Sequence, residues 1–132
     1  MHKRIAMRAA AVAVGAAGAV GLASVPAFAA SQVGPGSTGA AVKCVQRAMN
    51  YLDNAGLSVD GDYGSLTTAA VETYQRDHSL SADGIVGPDT GTSIKETIVY
   101  VIEIANKDGQ SADAAAGNAW LTDCNSLIEG TE

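Results

Sequence analysis

The chain has 132 residues, 47% hydrophobic and 17% charged, with fourteen acidic residues against eight Lys and Arg and a formal net charge of −6. One domain is expected at this length. So acidic a chain repels polyanions, which excludes nucleic acid and anionic lipid surfaces as natural partners. The two cysteines are far apart, and one of the two histidines falls in the leader, so neither a metal site nor a cofactor is expected.

The first stretch reads as a leader. Lys3, Arg4 and Arg8 precede an Ala/Val/Gly-rich run to about Val25, and Ala27-Phe28-Ala29 supplies the small-x-small pattern of signal peptidase. Residues 1–29 are therefore expected to be a secretory signal peptide, cleaved after Ala29 or, as second choice, Ala30. The run is short and Ala-rich for a membrane anchor. Cleavage removes three cations and no acid, taking the charge from −6 to −9 and leaving Lys43, Arg47, Arg76, Lys95 and Lys107. Secretion also favours a staple in so small a domain. Cys44 and Cys124 are the candidates, preferred as a disulfide over a metal site or a thiol nucleophile, which would need His78 as its base.

Residues 30–36 read as a loose Gly/Pro lead-in, with Ser37 the candidate N-cap of a first helix. Val42, Val45, Met49 and Leu52 form one helical face, widened by Ala41 and Ala48, and Asn54 and Gly56 end it. Leu57 and Val59 lead into Asp60-Gly61-Asp62-Tyr63-Gly64-Ser65-Leu66-Thr67. Asp60-Gly61 is a turn signal, with Gly61 free to take positive φ. Gly64 falls at the N-cap of a second helix, and Thr67 sits three residues on, where its oxygen is expected to reach back to the cap backbone. That helix is expected to run from Ser65 to about His78, burying Leu66, Ala69, Ala70, Val71 and Tyr74 and turning Glu72, Arg76 and Asp77 to water. Ser79-Leu80-Ser81 breaks it, with Leu80 returning to the core.

The turn then repeats as Asp83-Gly84-Ile85-Val86-Gly87-Pro88-Asp89-Thr90, with Pro88 at the first helical position, where its missing N–H costs nothing. A second echo pairs Val42–Arg47 with Val71–Arg76 as V-x-x-[VY]-Q-R. Gln46 and Gln75 are expected to satisfy backbone groups of the two turns rather than a ligand. Residues 94–105 are rich in β-branched types, yet Ile94, Ile98, Val101, Ile102 and Ala105 keep helical spacing and no second strand-like run exists. An extended third helix is expected. Residues 107–118 read as a loop, and Trp120, Cys124, Leu127 and Ile128 mark a short last helix.

No H-E-x-x-H or G-x-S-x-G motif is present, and nothing pairs a Cys with a His and an Asp for hydrolysis. His78 suits a solvated C-cap cation. Asp60 and Asp83 suit turn-backbone acceptors more than a glycosidase pair. Asp60-x-Asp62 lacks the further ligands of a calcium loop.

These residues resemble a known family. The pattern V-D-G-x-[FY]-G-x-x-T-x-x-A-V-x-x-[FY]-Q is filled by Val59, Asp60, Gly61, Tyr63, Gly64, Thr67, Ala70, Val71, Tyr74 and Gln75. D-G-I-V-G-P-x-T is filled from Asp83 to Thr90, with Gly84 and Gly87 in place. Gly36, Ser37, Gly39, Val42, Val45 and Gln46 fill the opening pattern. The set is similar to the small three-helix peptidoglycan-binding domain attached to bacterial wall hydrolases, whose fold also resembles metalloprotease prodomains. Gly91 and Ser79 depart from it, standing where the family carries Trp and Gly. The tail from about residue 96 lies outside it.

The resemblance implies an all-α fold: a three-helix bundle over 37–95 with two D-G-x-x-G turns, and a helical extension over 96–132 stapled by the disulfide. It implies a secreted, wall-associated, non-catalytic monomer that binds peptidoglycan through its glycan strand or stem peptide. A secreted regulator of a wall hydrolase or protease is the alternative. Asp62, Tyr63 and Arg76 are the candidate ligand contacts, with Tyr51 and Trp120 in second rank.

Overall fold

A computed structural model describes residues 32–128, so the expected leader and its cleavage site lie outside the described residues. Four helices follow in order: α1 (Ala40–Asp53), α2 (Ser65–Asp77), α3 (Pro88–Lys107) and α4 (Ser111–Cys124). Among the described residues there is no strand, only two isolated bridges, Val33 with Val86 and Thr38 with Asp62. The all-α architecture with its stapled extension is as expected.

α1 buries Val42, Val45, Ala48 and Met49 completely. It stops at Asn54, which takes the left-handed conformation (φ 54°) and donates its N–H to the Met49 carbonyl. Asn50 then pins the exit: its Nδ2 donates to the Leu57 carbonyl at 2.8 Å and its Oδ1 accepts from the Leu57 N–H at 2.7 Å. Ser37 is not the cap. The helix begins after Gly39 (φ 106°), and Ser37 Oγ instead accepts the Gly34 N–H.

α2 buries Thr67, Val71, Tyr74 and Gln75. Leu66 and Ala69, expected in the core, are exposed, Leu66 at 76%. The helix has more apolar positions than its narrow contact face can cover. Tyr74 is fully buried, its hydroxyl held by Ser93 and Thr97, and its ring stacks on His78 at 3.9 Å.

α3 is one continuous 20-residue helix, with Ile94, Ile98, Ile102 and Ala105 on its buried face. That resolves the β-branched run in favour of its helical spacing. The expected loop over 107–118 is largely helix instead. After Asp108-Gly109-Gln110 the chain doubles back into α4, whose inner face is Ala114, Gly117, Trp120 and Cys124. Small residues let the two helices close up. A Cβ on Gly117 would lie 2.5 Å from Ile102 Cγ1 and 2.8 Å from the Tyr51 hydroxyl.

The extension is tied to α1 at several points. Cys44 and Cys124 form a disulfide with Cα atoms 5.6 Å apart, Trp120 Nε1 donates to the Cys44 carbonyl at 2.8 Å, and the Tyr51 hydroxyl donates to the Asp113 carbonyl at 2.9 Å. Arg47 and Asp123 add an exposed ion pair at 3.2 Å, of a class contributing about 0–1 kcal/mol.

The lead-in is also firmer than expected. Val33 and Val86 exchange both backbone hydrogen bonds, Gly36 N–H reaches the Tyr63 carbonyl, and Gly39 N–H reaches the Gly61 carbonyl. Residues 33–39 thus form a strap across both turns. Glycine and proline made it read as loose, but its pairing is between backbone groups and needs no side-chain pattern.

Two stability outcomes follow. The disulfide closes a separation of 80 residues, so Cys44→Ala/Cys124→Ala should lose about 4–5 kcal/mol in urea unfolding under the chain-entropy account. Ser79 holds φ 58° at the position where the first turn has Gly56, so Ser79→Gly should gain about 0.5–1 kcal/mol in the same measurement.

Candidate functional site

Each turn is built around a buried glutamine. Gln46, on α1, donates from Nε2 to Asp60 Oδ1 at 2.9 Å, the Asp62 carbonyl at 3.1 Å and Thr67 Oγ1 at 3.2 Å. Its Oε1 accepts the Gly61 N–H at 3.0 Å. Gln75, on α2, repeats the set: Asp83 Oδ1 at 3.0 Å, the Ile85 carbonyl at 2.9 Å, Thr90 Oγ1 at 3.1 Å, and the Gly84 N–H at 2.9 Å. Gly61 (φ 79°) and Gly84 (φ 73°) take the positive φ that presents those N–H groups. Gln46 and Gln75 therefore serve the turns.

Thr67 does not reach back to its own cap. Its hydroxyl, like that of Thr90, is taken by the glutamine amide. Thr68 Oγ1 donates to the Gly64 carbonyl instead. Neither α2 nor α3 has a side-chain N-cap; Gly64 and Gly87 occupy those positions in nearly identical extended conformations (φ −100° and −101°, ψ −164°). The first N–H groups of both helices have no intrahelical acceptor, and positive helix-end potential gathers there.

That leaves a groove beside each turn. The first, about 280 Å³, is lined by Leu57, Asp60, Asp62, Ser65, Leu66 and Thr67 among others. The second, about 210 Å³, is lined at the matching positions by Leu80, Asp83, Ile85, Pro88, Asp89 and Thr90. A third groove of about 330 Å³ between the end of α1 and α2 shares Leu57 and Leu66 with the first, and is walled by Ala69, Ala70 and Thr73.

The candidate contacts separate. Asp62 is exposed and lines the first groove. Tyr63 is only 4% exposed, and its hydroxyl donates to the Gly84 carbonyl at 2.6 Å, linking the two turns. Burial, with the nearby charges of Asp83 and Glu72, drives its pKa far above the usual tyrosine value. It is a structural tie and offers no face for stacking. Arg76 is exposed and donates to Thr73 Oγ1, near the far end of α2 and about 15 Å along the helix from the groove. Of the second-rank aromatics, Trp120 is buried and Tyr51 is half-buried against α4. Sequence reasoning missed Leu66, whose exposure leaves it as the apolar rim of the groove. Among the described residues no cluster of three or more His, Cys, Asp or Glu is placed to hold a metal ion, and no helix is long and apolar enough to cross a membrane.

The carboxyl of Asp60 is held below its ordinary value, first by the Asp62 N–H and then by the Gln46 amide. A depressed carboxyl contributes stability above its unfolded pKa of about 3.9 and loses it as pH falls through the folded value. Urea unfolding at stepped pH should therefore show stability dropping below about pH 4, with a shallower drop in Asp60→Asn.

Residues 38–94 match the putative peptidoglycan binding domain family. The chain is 44% identical over 61 residues to the zinc D-Ala-D-Ala carboxypeptidase of Streptomyces albus G; the match takes in 45% of this chain and 24% of that enzyme, so this chain aligns with about a quarter of that relative. Among solved structures it is similar to the SleB N-terminal domain, at 26% identity and TM-score 0.50, over 53% of this chain and 96% of that one. It also matches a peptidoglycan-binding protein from Clostridioides difficile at 34% identity and TM-score 0.47, over 49% of this chain and 40% of that one.

Proposed function

We propose, from the match of residues 38–94 to the putative peptidoglycan binding domain family, that this protein is a non-catalytic, secreted module that holds to peptidoglycan at the cell wall, working as a monomer. The observation that carries the site assignment is the open first groove: an uncapped helix start, the exposed Asp62 carboxylate and the 76%-exposed Leu66 meet there. Such a surface offers N–H donors, an acceptor and an apolar rim together. Those groups suit a neutral, polar chain with amide and methyl substituents, as in stem peptides and N-acetylated glycans. The acidic surface fits a ligand gripped by hydrogen bonds more than by charge. Asp62 is retained among the contacts. Tyr63 and Arg76 are not, the first being buried and the second remote.

The test is sedimentation with purified insoluble peptidoglycan. The protein without its leader should be retained, and retention should persist through moderate salt. Leu66→Ala, at an exposed position, should leave stability within about 0.5 kcal/mol and lower the retained fraction several-fold. Full recovery in the supernatant overturns wall binding. It would favour the regulator of a secreted hydrolase, for which the exposed Val99, Tyr100 and Ile104 on α3 offer a surface.

A further inference from the structure

The two grooves are copies, but they are not in the same state. Eight lining positions of the first recur in the second at a constant offset, from Leu57 and Leu80 to Thr67 and Thr90. Over the second lies the side chain of Gln32, from the strap that Val33 fastens to Val86. A Cβ built on Gly87 would stand 3.3 Å from Gln32 Nε2 and 3.8 Å from Cδ, so the carboxamide lies directly on the helix cap. A Cβ built on Gly64, the matching cap, meets nothing within 4 Å.

We propose that the first groove binds a carboxamide in the position that Gln32 occupies over the second, so that the chain displays the chemistry of its own ligand. This rests on the wall-binding reading only for the source of the amide, the chemistry being argued from the repeat. Three differences between the copies point the same way. Ser65 has an N–H where Pro88 has none, adding a donor for the amide oxygen. Asp62 replaces Ile85, adding an acceptor for the amide N–H. Leu66 replaces Asp89, adding apolar area for the adjoining carbon chain. A carboxylate of the same shape suits the site less, because Asp60 and Asp62 line it. The amide carries both a donor and an acceptor, and the groove offers the complement of each.

The probe is propionamide, which reproduces the end of a glutamine side chain, with propionate as its charged isostere. Backbone amide NMR shifts are followed in the protein without its leader. Ser65 and Leu66 should shift saturably with propionamide and at least about tenfold less with propionate at equal concentration. Ser65→Pro should remain folded, since Gly64 already has the conformation of Gly87 before Pro88, and should weaken binding about tenfold or more. In Gln32→Gly the uncovered second groove should respond, with Asp89 shifting where it did not before. A larger response to propionate, no response at Ser65 and Leu66, an unchanged Ser65→Pro, or a silent Asp89 in Gln32→Gly each overturns the proposal. Sedimentation with peptidoglycan is scored separately. Retention with no propionamide response leaves wall binding standing and removes this inference. The response without retention does the opposite.

Discussion

Everything in the first three helices hangs on a carboxamide buried inside a turn. Asp60-Gly61-Asp62 and Asp83-Gly84-Ile85 each carry backbone groups that a two-sided partner must satisfy, one donor and one acceptor at once. An amide is a neutral side chain that supplies both, on two separate atoms. Gln46 is 1% exposed and Gln75 is fully buried, so an unmet donor or acceptor there costs about 1–3 kcal/mol each. Because each glutamine sits on the preceding helix, it also fixes where the next helix starts. α1 sets the start of α2, and α2 sets the start of α3. The order of the fold is thus carried by two hydrogen-bonded nodes, with the apolar core packing around them.

The nodes were legible in the sequence because they occur twice. A repeated D-G-x-x-G-x-x-T beside a repeated V-x-x-x-Q-R joins turn to helix without any structure. The partners of the threonines were not legible. A Thr three residues after a cap normally suggests a local bond, and only the three-dimensional approach of Gln46 and Gln75 redirects Thr67 and Thr90. Leu66 and Ala69 misled for a related reason. Apolar spacing marks the positions able to face a core, and α2 has more of these than α1 and α3 can cover. The first half of α4 escaped notice because its inner face is Ala114 and Gly117 before it is Trp120 and Cys124. Periodicity is read from large residues, whereas here close approach to Ile102 requires small ones.

The same contrast governs the grooves. Glycine caps without side chains leave the helix starts of α2 and α3 unmet, a condition that would be a defect in a helix built only for stability. One copy is overlaid by the Gln32 side chain and the other is open. Tyr63 was a reasonable aromatic candidate in the sequence, since a Tyr beside an acid in a turn suits sugar stacking. Its hydroxyl bond to Gly84 shows the alternative use of such a ring, as a spacer that holds two turns at fixed separation.

The disulfide has a mechanical meaning. A chain pulled at its two ends passes tension through the strap and the start of α1 to Cys44, then across the sulfur–sulfur bond to Cys124 and out. The 80-residue stretch between them lies off that line of force. It contains both turns, both glutamines and the whole of the first groove. Load applied between the two ends peels the strap first, breaking its backbone bonds to both turns and carrying Gln32 away from the second groove, while the stretch closed by the disulfide carries no tension.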